Sequence, residues 1–311
     1  MLNVAVIGIG SMGKNHARIY SESDKVNLVA VSDMNEALAK EISEKYGCKY
    51  YTDYKEMISK EKLDIVSVVV PTEYHKQVAF DVIDKKINIL LEKPITSTIE
   101  DGKKLVEFAR NNGIKIMIGH IERFNPVVIE LKKRLENNEL GEIFKIDVNR
   151  SGPFPQRIGD VGVVIDLAVH DLDIIRYLTG AEITRAHAEI AKKIHKNHED
   201  MICAVLKLSN GAICNMNVNW LTPIKIRNIQ IIGEKGMYTA DYITQEINFY
   251  QSDGIESTVT KISVQKKEPL LTELEHFIDC VENDKTPLVS AEDGLRVLEQ
   301  AKMLIEIAGD E

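Results

Sequence analysis

The sequence is short of cysteine, of aromatic residues, of basic excess and of long apolar runs, and each shortage removes a class of function. Its four cysteines, Cys48, Cys203, Cys214 and Cys280, never fall in a C-x-x-C spacing. Neither a zinc site nor a disulfide framework is expected, no metal is called for, and the four are expected to act as buried small hydrophobes. Lysine and arginine total 39 against 48 aspartates and glutamates, a net charge of −9 with no Lys/Arg-rich tract. That balance disfavours a general nucleic-acid surface but leaves room for a local basic pocket that takes an anionic substrate. The longest apolar runs are strand-length, so no membrane span is expected. Leu2 to Ile9 lacks the basic flank and small-residue cleavage site of a signal peptide and reads instead as a first strand, which makes the cytoplasm the expected location. No repeat, linker or low-complexity segment interrupts the 311 residues, 44% of them hydrophobic, a length that suits two globular domains.

What is present begins at once. Leu2 to Ile7 is an apolar run with β-branched Val4, Val6 and Ile7, followed by Gly8-Ile9-Gly10-Ser11-Met12-Gly13 and then by a segment able to form a helix. Strand, glycine turn and helix are the setting in which G-x-G-x-x-G holds a dinucleotide. Gly8 permits the sharp turn, Gly10 lets the backbone approach a pyrophosphate, and Gly13 lets helix and strand pack closely. The next strand, Asn27 to Ser32, ends at Asp33, about 20 residues beyond the last glycine, where an acid accepts hydrogen bonds from the adenosine ribose. Its charge would repel a 2′-phosphate, which favours NAD over NADP. Asp33 also suits the N-cap of a helix starting near Asn35, and the two roles are compatible.

Strands and helices alternate through the first 120 residues. Strands are expected over Cys48–Tyr51, Asp64–Val70, Ile87–Leu91 and Lys115–Ile118, with helices over Asn35–Tyr46, Tyr54–Lys60 and Glu73–Lys85 and another after the capping box Thr98-x-x-Asp101. This rhythm argues for a doubly wound parallel sheet. After residue 121 it changes. Asn125-Pro126 starts a helix, Glu142–Ser151 is a strand, Asp166–Leu178 is helical, and from Glu182 to about Val264 the chain reads as an antiparallel sheet of about six strands. Helices capped by Thr272-x-x-Glu275 and Ser290-x-x-Asp293 close the chain. The expected division is therefore 1–121, dinucleotide-binding, and 122–311, an α+β substrate and oligomerisation domain, with the last helix, 291–308, a candidate to pack back on the first domain.

In doubly wound folds ligands sit beyond the carboxyl ends of the strands. Gly8–Gly13, Asp33, Pro71-Thr72 and Glu92-Lys93-Pro94 all lie at such ends. Pro94 restricts Lys93 to an extended backbone, so its ammonium is aimed and could stabilise negative charge on a substrate oxygen. The alternative is a solvated lysine with Glu92 as ion partner. In Asp166-Leu-Ala-Val-His170-Asp171-Leu-Asp173, helical spacing puts residues 166, 170 and 173 on one face. Asp166 could orient His170, which could remove a hydroxyl proton as hydride leaves. The alternatives are an N-cap for Asp166 and a satisfied core histidine for His170.

Five segments together resemble the glucose-fructose oxidoreductase / inositol dehydrogenase / MocA (Gfo/Idh/MocA) family of NAD(P)-dependent oxidoreductases. They are Gly8-Ile-Gly10-Ser-Met-Gly13 with His16, Pro71-Thr72-x-x-His75, Glu92-Lys93-Pro94, Gly119-His120-x-x-Arg123-Phe124-Asn125-Pro126, and Asp166-x-x-x-His170-Asp171. The resemblance covers essentially the whole chain. It implies a Rossmann domain followed by an α+β domain with an open, largely antiparallel sheet that pairs subunits through its outer face, as a homodimer or homotetramer. It also implies a catalytic set of Lys93, Asp166 and His170, a cis Lys93-Pro94 bond, and cofactor contacts from Gly8, Ile9, Gly10, Ser11, Met12, Gly13, Asp33, Pro71, Thr72, His75, Glu92, Lys93 and Arg123. The run before Asp166 departs from the family's usual glycine-rich pattern, and the segment Arg150 to Arg157 is similar to that of the UDP-N-acetylglucosamine 3-dehydrogenases. Arg150 and Arg157 could bind a substrate diphosphate, joining Lys93, Asp166 and His170 around the substrate. The alternative is two surface arginines beside a proline-rich loop.

The expectation is NAD-dependent oxidation of a sugar secondary hydroxyl to a ketone, with UDP-N-acetylglucosamine at C3 as the first candidate. A free-sugar or inositol dehydrogenase is the alternative within the class. An NAD-dependent glycosidase on the same fold, or a non-catalytic NAD-binding module, stands outside it.

Overall fold

The computed structural model describes residues 1–155 and 161–309. They form two compact units: Met1–Ile121 with Leu270–Arg296, and Glu122–Pro269 with the chain from Val297 onward.

The first unit carries β1 (Leu2–Ile7), α1 (Ser11–Glu22), β2 (Val26–Ser32), α2 (Glu36–Tyr46), β3 (Lys49–Tyr51), α3 (Tyr54–Lys60), β4 (Ile65–Val68), α4 (Thr72–Asp84), β5 (Asn88–Leu91), α5 (Ile99–Asn112) and β6 (Ile116–Ile118). Its six strands are all parallel, in the order β3-β2-β1-β4-β5-β6. The order reverses between β1 and β4, and at that point the loops after the two strands diverge and leave a crevice. Every residue of β4 is buried, as is most of β1, which is why both read as near-continuous apolar runs. The helices start where their side chains supply an acceptor. Asn35 caps α2, Asp53 caps α3 and Thr98 caps α5, and Gly47 and Gly113 end α2 and α5 in the left-handed region.

The second unit carries α6 (Pro126–Glu136), β7 (Ile143–Pro153), α7 (Val169–Thr179), β8 (Ile183–Ala191), β9 (Met201–Leu208), β10 (Ile213–Asn219), β11 (Leu221–Gly233), β12 (Gly236–Asp241), β13 (Glu246–Ser252) and β14 (Ser257–Ile262). Eight strands form one sheet in the order β14-β13-β12-β11-β7-β10-β9-β8, antiparallel except for the β7–β10 pair. Seven strands occupy the stretch expected to hold about six. The extra hairpin ends in β14, where five of six residues are exposed, so little apolar alternation marked it. The chain closes with α8 (Pro269–Glu282) and α9 (Ala291–Gly309).

The cysteines correct one expectation. Cys214 and Cys280 are buried, but Cys48 is half-buried and Cys203 exposed. Cys203 falls on an outward-facing position of β9, where burial alternates residue by residue. Among the described residues no helix is long and apolar enough to cross a membrane.

Candidate active site

The glycine turn is built as close packing demands. Gly8 has φ +88°, and a Cβ there would lie 2.4 Å from the Val69 carbonyl oxygen. A Cβ at Gly13 would lie 1.9 Å from the Gly8 carbonyl oxygen, so only glycine lets α1 reach the strand. At Gly10 a Cβ would meet nothing within 4 Å. Gly10 is also the N-cap of α1 and offers no capping side chain, which leaves the first amides of the helix without a side-chain acceptor from the cap. Free amides and the positive end of the helix dipole make a phosphate site.

Beside the turn lies a cavity of about 430 Å³ lined by Gly8, Gly10, Asp33, Tyr54, Pro71 and Tyr74 among others. The Asp33 carboxylate is fastened at both oxygens, one accepting from the Ile9 amide (2.7 Å) and the other from the Asn35 amide (2.9 Å). It therefore ties the phosphate turn to the start of α2 while staying on the wall of the cavity. These residues fit a dinucleotide: open amides for a pyrophosphate, a carboxylate for a ribose, and an apolar slot for a base.

The Glu92-Lys93-Pro94 turn follows β5, and its Lys93-Pro94 bond is cis. Glu92 Oε1 lies 3.3 Å from His16 Nε2, and Oε2 accepts from the Lys93 amide at 3.3 Å. Burial would push the Glu92 carboxyl up, but the hydrogen bond from His16 and the nearby Lys93 charge outweigh it and hold the group below the usual carboxylate range. His75 is 1% exposed, with Nδ1 2.8 Å from the Pro94 carbonyl and Nε2 2.9 Å from the Val70 carbonyl. Burial pushes its imidazole below the usual range, partly offset by those two carbonyls. Thr72 opens α4, with Pro71 as its N-cap. Pro71, Glu92 and Lys93 are carried by the loops after β4 and β5, and Thr72 and His75 by the first turn of α4, which follows β4.

In the second unit, Asp166 and His170 stand on a helix whose first turn is not α. Residues Val164–Ala168 form a π turn, and the Val169 amide reaches the Val164 carbonyl five residues back. The α geometry assumed for the sequence spacing thus begins only at Val169, just before His170. Widened turns of this kind are frequent at functional sites. Both side chains are half-buried. The turn is anchored by Glu199, whose carbonyl accepts from the Val163 amide (3.0 Å) and whose carboxylate accepts from the Val164 amide (3.1 Å). Gly162 leaves the room that the Glu199 carboxylate occupies: a Cβ there would lie 2.0 Å from a carboxylate oxygen and would make that side chain swing aside. On the segment that carries Glu199, His195 packs near Phe154 (5.8 Å between ring centres), and Phe154 meets Trp220 edge-on at 5.7 Å.

Two arginines are placed differently from the sequence reading. Arg150, expected on a substrate diphosphate, is 1% exposed and donates to Asp171 and Glu122, 2.8 Å in each case. It neutralises buried carboxylates instead of facing solvent. Burial pushes the Glu122 carboxyl up, but Arg150 more than offsets this and holds it below the usual range. Arg123, expected at the cofactor, is 4% exposed and forms a fork with Asp173, Nε to Oδ2 at 2.9 Å and Nη2 to Oδ1 at 2.6 Å. Asp173 is therefore an anchor of α7 in the second unit. Arg157 lies outside the described residues.

Sequence reasoning passed over Ser67, Tyr20, Glu199 and Glu273. Ser67 and Glu273 did leave a trace, each a polar residue inside an otherwise apolar stretch. Glu199 left none, because its role depends on a contact 35 residues away.

A phosphate turn at the switch point, with a carboxylate just after the second strand, defines a dinucleotide-binding domain. Comparison with known proteins narrows the class. Residues 2–120 match the Oxidoreductase family, NAD-binding Rossmann fold, and residues 132–309 match the Oxidoreductase family, C-terminal alpha/beta domain. The chain belongs to the Gfo/Idh/MocA oxidoreductase family, and NAD is its cofactor. It is 26% identical to the UDP-N-acetylglucosamine 3-dehydrogenase of Acidithiobacillus ferrooxidans, over 96% of this chain and 95% of that one. A solved structure of that protein superimposes with a TM-score of 0.90 over 98% of this chain and 97% of the other. Similarity to the scyllo-inositol 2-dehydrogenase (NAD(+)) of Bacillus subtilis is comparable, 27% over 92% of this chain and 88% of the relative.

Proposed function

We propose that this enzyme oxidises a secondary hydroxyl of a sugar to a ketone, and that its substrate is UDP-N-acetylglucosamine, oxidised at C3. The observation that carries the reading is that each unit presents one prepared group. Lys93 stands on a turn held at both flanks by buried side chains, and Asp166 precedes His170 by four residues on an anchored π turn. The Gly8–Gly13 turn and Asp33 would hold NAD, which would supply the hydride acceptor for the carbinol carbon. His170 takes the hydroxyl proton, Asp166 orients the imidazole and stabilises it once protonated, and the Lys93 ammonium holds the oxygen as its negative charge develops. The hydroxyl proton ends on His170 and the hydride on the cofactor, so the ketone leaves two hydrogens lighter than the alcohol.

The nucleotide-sugar assignment draws on a relative that shares nearly the full length of the chain, and on the half-buried, neighbouring rings of Phe154 and His195, which offer a stacking face. The burial of Arg150 favours the second reading, a free polyol such as an inositol, because it removes one of the two cations assigned to the diphosphate. We further propose a homo-oligomer formed through the sheet of the second unit, whose outward side chains include the exposed Val205 and Ile213. Light scattering of the purified enzyme reads the mass directly, and a monomer would refute that assembly.

Mass spectrometry after incubation with NAD and UDP-N-acetylglucosamine tests the reaction. A nucleotide sugar lighter by two hydrogens is expected. An unchanged UDP-sugar alongside oxidised myo-inositol would replace the first reading with the second. Free N-acetylglucosamine without net NADH would indicate a glycosidase.

A further inference from the structure

Lys93 is held through its neighbours. On one side, a buried chain of four side chains runs from α1 to the Glu92 carboxylate. The Tyr20 hydroxyl lies 2.8 Å from Ser67 Oγ, Ser67 Oγ lies 3.1 Å from His16 Nδ1, and His16 Nε2 lies 3.3 Å from Glu92 Oε1. His16 and Ser67 are 0% exposed and Tyr20 1%. Only one direction gives every hydrogen an acceptor: Tyr20 donates to Ser67, Ser67 to His16 Nδ1, and His16 Nε2–H to Glu92. Reversed, with His16 donating to Ser67 and Ser67 to Tyr20, the phenol hydrogen has no hydrogen-bond acceptor among the described residues. Glu92 then spends its second oxygen on the Lys93 amide, and Gly119 closes on the same carboxylate, where a Cβ would stand 3.1 Å from Oε2. On the other side of Lys93, His75 sits between the carbonyls of Pro94 and Val70.

We propose that His16 and His75 are positioning residues that bracket the Glu92-Lys93-Pro94 turn and set where the Lys93 ammonium points. Neither the cofactor fingerprint nor the lysine's chemistry requires a buried histidine on each flank. The chain from Tyr20 to Glu92 spans α1, β4 and the end of β5, so it ties the helix that receives the phosphates to the turn that carries the lysine. A misplacement on the order of 1 Å at such a group costs about 100-fold in rate. The groups facing the bracket are Glu92, Lys93, Tyr20 and Glu273, with the two histidines themselves.

The inference rests on the role proposed for Lys93, and a coupling experiment separates the two. His16→Leu, His16→Gln, His75→Leu and Lys93→Ala are compared for kcat, for NADH affinity by fluorescence titration, and for thermal unfolding, with UDP-N-acetylglucosamine and myo-inositol as substrates. His16→Leu and His75→Leu should lower kcat about tenfold to 100-fold, and in His16→Leu, where the residue replaced is not itself an expected cofactor contact, the NADH Kd should stay within about threefold. His16→Gln keeps an N–H toward Glu92 and should recover most of the rate. In the Lys93→Ala background, His16→Leu should cost nothing further, because both changes remove the same positioned ammonium. Ser67→Ala, a smaller change in the same chain, should lower kcat about threefold to tenfold with Kd unmoved and serves where His16→Leu does not fold. Losses confined to NADH affinity or thermal stability, or additive losses in the Lys93→Ala background, would overturn the bracket. Full activity in Lys93→Ala alone would overturn the role of the lysine instead.

Discussion

Arg150 and Asp171 form an ion pair closed off from water, Nε to Oδ2 at 2.8 Å with both side chains 1% exposed. The same guanidinium reaches Glu122, and Arg227 approaches that carboxylate from 3.6 Å. Replacing Arg150 with methionine strands two buried carboxylates, a loss of about 3–5 kcal/mol. Urea unfolding should show it, and the folded variant should keep its KM for the nucleotide sugar. A raised KM with unchanged stability would return Arg150 to the substrate.

Glu273 sets a pH dependence opposite to that of most carboxylates. It is 0% exposed, neither oxygen has a hydrogen-bond partner among the described residues, and burial pushes its carboxyl well above the usual range, with the charge of Glu92 adding to the effect. The native state therefore keeps this proton after the unfolded chain has lost it. Stability falls as pH rises from the ordinary glutamate value of about 4.3 toward the elevated native one, by up to about 1.4 kcal/mol per pH unit from this group. Glu273→Gln, which mimics the neutral acid, should match the native protein at the acidic end and become increasingly the more stable of the two toward pH 8. Parallel stability curves across pH 5–8 would show that Glu273 ionises normally.

Much of the first unit was readable in the sequence because its strands are buried on both faces and its turns need particular residues. Gly8 and Gly13 are demanded by carbonyls at 2.4 and 1.9 Å, and Asp53 and Thr98 cap the helices they precede, whereas α2 is capped by Asn35 and not by Asp33 as the sequence suggested. Arg150 and Arg123 were misplaced for a physical reason. A basic residue near a polar loop looks the same in sequence whether it meets a ligand or a buried acid, and the acids here lie 21 to 50 residues away. The π turn at Val164–Ala168 was invisible for another reason: composition distinguishes helix from strand but not an i−5 from an i−4 bond.

Asp33 should govern cofactor choice. Asp33→Asn keeps an acceptor for the Ile9 or Asn35 amide but removes the charge that repels a 2′-phosphate. The NAD-over-NADP ratio of kcat/KM should drop about tenfold, equivalent to about 1.4 kcal/mol. An unchanged ratio would place discrimination elsewhere, for example at the exposed Met34 beside it.

Lys93→Ala should lower kcat by at least about 100-fold, the scale of removing a donor to a developing oxyanion. NADH binding should stay within about threefold, because the phosphate turn and Asp33 are untouched. Loss of NADH affinity without loss of kcat would make Lys93 a cofactor contact only.

Gly162 and Glu199 should behave as a single unit. The Glu199 carboxylate occupies the space a Cβ on residue 162 would fill, and from there it accepts the Val164 amide at the head of the turn that bears Asp166. Gly162→Ala forces the carboxylate away and leaves that amide without its acceptor, so it should cost about 1 kcal/mol of stability, the scale of a lost cap. It should also lower kcat about fivefold to tenfold, because Asp166 is no longer held where it orients His170. Glu199→Ala removes the acceptor directly and should do the same. The double variant should be no worse than Glu199→Ala alone, since with the carboxylate gone the methyl group has room. Additive losses would mean that Gly162 serves the turn by its backbone freedom and not by the space it leaves.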